Sequence, residues 1–504
     1  MSDVKQSEQQ LHELMRKMTA YRQAIGLMNW DARTGAPKKG INQRSEALGY
    51  LSTEVFKLTT SNEMGQHLEA VLSEEGRSQV SEITRKSAEE LKKEYDRFKK
   101  VPEEEYREYN ILKSKSEAQW EQAKGEADFE TFRPNLEKLV EFKRKFVNYW
   151  GYEGHPYNTL LDDYEPGVTV DILDDVFGKV REGLIPLVKG VKESENKPKT
   201  GFLFEHFPKE KQRAFSLEIL KKMNYDFQAG RLDETVHPFA IGLNTNDVRV
   251  TTKYDEKDFR TAVFGTIHEG GHALYEQNIS TDLEGTVLSD GTSMGIHESQ
   301  SLFYENFVGR NYAFWENNYD LLKSYSNGQF DNVSIDAFYK AINEAKPSLI
   351  RIEADEMTYA LHIILRYEIE KGLITGDIQV KDLPAIWNDK MQEFLGVTPP
   401  HDGVGVLQDV HWSFGAFGYF PSYALGYIYA AQLKKSLDRD LPDFDNLLRE
   451  GELSPIKDWM TKHVHQHGSL KKPVEILKDT TGEGINPDHL LSYLTDKYKE
   501  LYKF

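Results

Sequence analysis

The clearest chemistry in the chain lies in one run, Thr266-Ile267-His268-Glu269-Gly270-Gly271-His272-Ala273-Leu274-Tyr275. On a helix, residues four apart lie one above the other on the same face. His268 and His272 can therefore offer two imidazoles to one metal ion, with Glu269 beside them. Two neutral imidazoles and an adjacent carboxylate suit the activation of water by zinc. Glu269 is then the expected general base, taking a proton from the water and passing it to a leaving amine. The bland alternative is a pair of histidines on a solvated helix face. A catalytic zinc needs a third protein ligand and one open position. The chain has no cysteine, so that ligand must be His, Asp or Glu. Glu276, Glu284, His297, Glu298 and Glu305 follow the motif. Glu276 sits one turn beyond His272 and reaches poorly, and nothing fixes the direction of Glu284. A next helix opening at His297-Glu298 and packed antiparallel on the first would bring a carboxylate to the metal. Glu298 is the first choice and His297 the second. Glycine costs about 1 kcal/mol in a helix interior, so Gly270-Gly271 implies that another element approaches closely there.

A substrate must also be held. Arg249 and Arg351 are candidate clamps, because guanidinium pairs bidentately with carboxylate. Arg351 could equally form an i,i+4 pair with Asp355 on a helix, and spacing alone favours that pairing. Gly405 to Trp412, then Tyr419 to Tyr423, form a polar-aromatic cluster that includes His411 and Tyr423. A tyrosine hydroxyl or histidine N–H there could bind an oxyanion; the alternative is a packed aromatic loop.

These residues need elements to position them. Leu11, Leu14, Met15, Met18, Tyr21, Ile25 and Met28 step by three and four, which predicts a helix over 6–29. Residues 78–125 predict two charged helices broken near Val101-Pro102, and 135–151, 170–188 and 208–224 predict further helices. One strand is clear, over 246–252, where Val248, Val250 and Thr252 alternate with polar residues. As an edge beside the metal it could pair with a peptide backbone. Asp255, with Asp258 three residues on, predicts the N-cap of the metal helix, which runs to about Gln277. Helices are expected over 293–322, 348–371 and 455–504, with 401–426 irregular.

The chain has 504 residues with 7 Trp, 26 Tyr and 26 Phe, enough for a large core. Its net charge of -19 argues against nucleic-acid or anionic-membrane partners, which want a basic face. Zero Cys excludes disulfides and cysteine-protease chemistry. The N-terminus opens into a polar helix rather than a signal segment, and no apolar run approaches the length of a membrane span. The expected compartment is the cytoplasm. No linker or repeat divides the chain, so residues 1–504 are expected to form a single catalytic unit.

Several stretches together resemble one family, the thermostable carboxypeptidase 1 or Taq-type metallocarboxypeptidases. They are His237-Pro238-Phe239, Asp247-x-Arg249-x-Thr251, His268-Glu269-x-x-His272, His297-Glu298-Ser299-Gln300, Ile350-Arg351-x-x-Ala354-Asp355 and Gly405-x-x-Gln408-Asp409-x-His411-Trp412, in the family's order. Trp30-Asp31 and Gly426 to Tyr429 are also similar. The resemblance implies a mainly α, two-lobed body with a deep central groove and a small β-sheet beside the metal helix, of the neurolysin and angiotensin-converting-enzyme type. It implies release of single C-terminal amino acids with broad specificity from peptides bearing a free terminal carboxylate. The cofactor would be zinc, with cobalt or another divalent metal as the alternative. The ligands would be His268, His272 and Glu298, the base Glu269. Arg351 becomes the expected binder of the terminal carboxylate, with Tyr423, His411, Arg249 and His237 as further substrate contacts. A homodimer is implied as well. Two other functions stay open: an oligopeptidase that cuts inside short peptides, and a non-enzymatic peptide-binding scaffold.

Overall fold

The computed structural model describes residues 3–504, mostly helices joined by short turns, with one three-stranded sheet. The first helix, Asp3–Thr34, is longer than its apolar spacing predicts. It carries Trp30 into a buried position and ends only where Gly35 and Ala36 N–H both return to the carbonyl of Asp31. Helices Glu82–Lys100 and Glu103–Glu126 part at Val101-Pro102, as the proline requires. Helices Phe129–Trp150, Val170–Glu193 and Lys209–Lys222 follow. The main hydrophobic cluster runs from Ala123 to Tyr502. Leu11, Leu14, Met15 and Met18 pack instead on Met64, Leu68 and Leu91 in a cluster of their own.

The expected strand is Asp247–Thr252, here β3, but two more precede it: β1 (Leu232–Glu234) and β2 (Ala240–Asn244). β3 lies between them, parallel to β1 and antiparallel to β2. Its N–H groups are taken: Val250 donates to Arg231 and Thr251 to Phe239. β3 therefore has no edge for a peptide, and the sheet's outer edges belong to β1 and β2. The flanking strands are short and lack strict alternation, so the period-two signal marked only the central one.

The histidine helix, Arg260–Gln277, follows β3 but is not capped by Asp255. The Asp255 carboxylate accepts from Lys257 N at 2.8 Å and Asp258 from Arg260 N at 3.2 Å, so the two acids build the turn before the helix. The expected helix over 293–322 divides into Met294–Leu302, a π-helical segment Phe303–Gly309 and Tyr312–Tyr325. The expected helix at 348 begins only at Tyr359 and ends at Thr375. Asp355 holds Met357 N and Thr358 N, each at 3.0 Å, before it starts, and Ile352 is solvent-exposed. Residues 401–419 are irregular as expected, but a helix, Phe420–Asp440, starts inside the stretch and makes Tyr423 and Gly426 helical. Helices Ser454–His463, Pro473–Thr481 and Asp488–Tyr502 close the chain. Among the described residues no helix is long and apolar enough to cross a membrane.

Candidate metal centre

Glycines let four helices meet at the motif. A Cβ on Gly271 would stand 2.5 Å from the carbonyl oxygen of Gln300 and 2.7 Å from Ser301 Cα, so the Met294–Leu302 helix lies directly on the histidine helix. A Cβ on Gly270 would meet Met223 at 2.8 Å and Leu220 at 2.9 Å, at the end of helix Lys209–Lys222. The close approach that the paired glycines imply thus occurs on both of their sides. Gly426 does the same for helix Phe420–Asp440, where a Cβ would stand 2.6 Å from the Cβ of Glu298.

This packing carries Glu298 to the two histidines. Donor atoms of His268, His272 and Glu298 all lie within 4.8 Å of one another, and they are the one such group among the described residues. Glu298 Oε2 is 3.5 Å from His272 Nε2 and 3.9 Å from His268 Nε2. Ligands held at zinc's bond lengths around a tetrahedral ion stand about 3.3–3.6 Å apart, so this two-nitrogen, one-oxygen set fits such a metal with little adjustment.

The other three acids and His297 are not in the donor set, and two of those acids orient it. Glu305, on the π-helical segment, receives His268 Nδ1 at 2.9 Å and is held by Arg310 at 3.0 Å. His297 has both nitrogens engaged: its Nδ1 is 2.6 Å from His272 Nδ1, and its Nε2 is 2.6 Å from Glu276 Oε1. For His272 to present a lone pair at Nε2, its proton must sit on Nδ1. His297 then accepts at Nδ1 and donates from Nε2 to Glu276, which fixes both tautomers. Glu284 is elsewhere, accepting from Thr245 at 2.8 Å.

The electrostatics favour a cation. Burial opposes a charge on His268, but its hydrogen bond to Glu305 and the charges of Glu298 and Glu269 outweigh it and raise its pKa to about 10. Burial pulls His272 down to about 4, against the Glu298 hydrogen bond. Burial, reinforced by Glu298 and Glu305 and opposed by His268, raises Glu269 to about 7. Glu269 is buried on the histidine helix. A carboxyl poised near neutrality can both take and return a proton.

A second polar group stands beside the first. Arg351 is not paired with Asp355; its Nε and Nη2 both reach Asp409 Oδ1 at 2.9 Å, and its guanidinium lies 4.9 Å from the Tyr423 ring centre. His411 Nε2 is 3.2 Å from the Tyr423 hydroxyl. Three phenols, Tyr359, Tyr419 and Tyr423, feel both groups: burial and the Glu298 charge raise their pKa, while Arg351 lowers it. Arg249 and His237 are not brought in. Arg249 forms a two-point pair with Asp247 at 2.7 and 2.8 Å and, with Trp30 and Asp31, lines a separate cavity of about 680 Å³. His237 is exposed on the β1–β2 loop. The residues missed by sequence reasoning are Arg310, Tyr359 and Arg366, which carry no local signal of their partners.

Comparison with known proteins finds relatives along nearly the whole chain. Residues 10–498 match the family described as carboxypeptidase Taq (M32) metallopeptidase. The chain is 57% identical over 495 residues to carboxypeptidase 1 of Bacillus subtilis, covering 98% of each chain. It is 38% identical over 507 residues to thermostable carboxypeptidase 1 of Thermus thermophilus, again covering 98% of each. The crystal structure of an M32 carboxypeptidase from Deinococcus radiodurans superposes with a TM-score of 0.95 at 33% identity, covering 99% of this chain and 100% of that one.

Proposed function

The chain belongs to the carboxypeptidase Taq (M32) metallopeptidase family, and from that membership we propose a zinc-dependent enzyme that releases single C-terminal residues with broad specificity. That it is a metallocarboxypeptidase, a peptide hydrolase, follows from the family and its named relatives. The observation that carries the finer reading is the pairing of two groups. Helix Phe420–Asp440 touches both: Gly426 lies against Glu298 of the donor triad, and one turn earlier the Tyr423 ring lies 4.9 Å from the guanidinium of buried Arg351.

When bound, zinc supplies a Lewis acid for the scissile carbonyl and lowers the pKa of an attacking water. The protein's own groups do the rest. His268, His272 and Glu298 hold the ion. Glu269 moves a proton from the water to the leaving amine. Arg351 receives the terminal carboxylate of the peptide, which places the last peptide bond over the triad. The Tyr423 hydroxyl, 3.2 Å from His411 Nε2, donates to oxygen at that bond. Arg249 and His237 are left for residues further up the peptide.

The test compares one blocked peptide as the free acid and as its C-terminal amide, before and after a chelator and after restoring zinc. Loss of activity on chelation, recovery with zinc and strong preference for the free acid are expected. An amide cleaved as fast as the acid would favour the oligopeptidase instead, and activity indifferent to chelation would exclude both.

A further inference from the structure

Arg351 shares its carboxylate. Asp409 Oδ1 serves Arg351, while Oδ2 accepts from Arg366 Nε at 2.7 Å. Arg366 is fully buried and pinned on every side. Its Nη1 donates to the carbonyl of His362 at 2.6 Å, its Nη2 to Gln408 Oε1 at 2.8 Å, and its guanidinium stacks 4.6 Å from the Trp387 ring centre. Gln408 Oε1 also accepts the backbone N–H of Arg351 at 2.9 Å, so one side chain fixes both arginines.

The charge does not balance. Burial lowers the pKa of His362 and His411, and it raises that of Tyr359 and Tyr423, so these neighbours are neutral. Two guanidiniums against one carboxylate leave a single positive charge in a site shielded from water. Arg351 Nη1 has no carboxylate partner among the described residues. A buried charge without its counterpart is costly, and one incoming carboxylate would complete the set.

We propose that Arg366 is a positioning residue that makes the enzyme selective for a free C-terminal carboxylate, by neutralising Asp409 so that Arg351 keeps its charge for the substrate. The inference rests on the assignment of Arg351 above and adds the reason that Arg351 is available despite its ion pair. Without Arg366, Arg351 and Asp409 form a closed neutral pair with nothing left to attract an anion.

The test uses zinc-loaded full-length protein and a blocked dipeptide as acid and amide. Arg366→Gln should raise KM for the acid by about 10–100-fold, the worth of a hydrogen bond to a charged group. kcat and zinc affinity should change far less, and discrimination against the amide should collapse. Adding Asp409→Asn to that variant restores one net positive charge and should recover most of the lost KM. A double variant no better than the single one, or intact discrimination in Arg366→Gln, overturns the proposal. Should Arg366→Gln fail to fold, Asp409→Asn alone carries the test. Two facing cations should then bind chloride, making chloride a competitive inhibitor about tenfold stronger or more than in the unaltered enzyme; unchanged chloride inhibition overturns the proposal. Failure of the exopeptidase assignment itself would show separately, as equal cleavage of acid and amide by the unaltered enzyme.

Discussion

Each ring nitrogen at the candidate centre has one task, and the tasks depend on each other. The Nε2 atoms of His268 and His272 face Glu298, while their Nδ1 atoms face Glu305 and His297. Glu276 stands at the end of one chain and can only accept, which makes His297 the acceptor for His272. An amide at that position can instead donate to His297 Nε2. It would drive the proton to His297 Nδ1 and set two N–H groups against each other. Glu276→Gln should therefore weaken zinc binding by about 10–100-fold, as measured by competition with a chromogenic chelator; unchanged affinity would refute the tautomer assignment. Glu269 has a different role. Glu269→Gln keeps its shape and should leave zinc affinity intact while lowering kcat by about 10²–10⁴-fold. A zinc-loaded variant that still turns over peptide at the normal rate would remove Glu269 from the mechanism. The donor set was legible in the sequence because i,i+4 spacing places His268 and His272 on one face. The orienting carboxylates were not, because spacing says which residues share a helix and not which residues meet across two. Glu276 and Glu305 therefore look like ligand candidates in the sequence, whereas in the fold they bond to His297 and His268.

Among the elements, the decisive feature is how closely the helices pass. Gly271 and Gly426 both let a helix lie against the one that carries Glu298, one against the backbone at Gln300 and the other against Glu298 itself. A methyl group at 426 has nowhere to go without moving the Glu298 side chain. Gly426→Ala should therefore weaken zinc binding, and overpacking should cost about 1–3 kcal/mol of stability. Gly271→Ala meets backbone atoms, which yield less than a side chain, and should cost at least as much. Denaturant titration with and without zinc separates the two effects; an alanine at 426 that leaves both stability and zinc affinity unchanged would show that the approach is not needed. The helices themselves were largely legible, since apolar residues at steps of three and four mark them wherever one face is buried. The misreadings have specific causes. Leu349, Ile350 and Ile352 mimic a helical stripe, yet Asp355 captures Met357 and Thr358 N–H and starts the helix later. Arg351 was thereby freed from a pairing that only a helix could provide. The strand expected over 246–252 has the look of an edge in the sequence because its two partners carry no period of their own.

At the scale of the molecule, a metal held by His268, His272 and Glu298 would join two helices that already pack on each other through Gly271. The two histidines sit on one helix and Glu298 on the next, and the helix Phe420–Asp440 that holds Tyr423 leans on Glu298 through Gly426. Glu269 and Glu305 stand beside the carboxylate of the triad, Glu298, with Arg310 paired only to Glu305 among the three. The same carboxylates raise the pKa of His268 against the effect of its burial. Zinc that binds the folded chain and not the unfolded one must therefore stabilise the fold. The gain is about 4 kcal/mol when free metal exceeds its dissociation constant a thousandfold. Chelation should lower the melting temperature by several degrees, and zinc should restore it without substrate present. Glu298→Ala should abolish most of that zinc-dependent shift, because it removes the ligand that ties the second helix to the first. Arg366→Gln, whose partners lie outside the triad, should keep the shift whole even if its own melting temperature is lower. A zinc-dependent shift of full size in Glu298→Ala would mean that another residue completes the donor set.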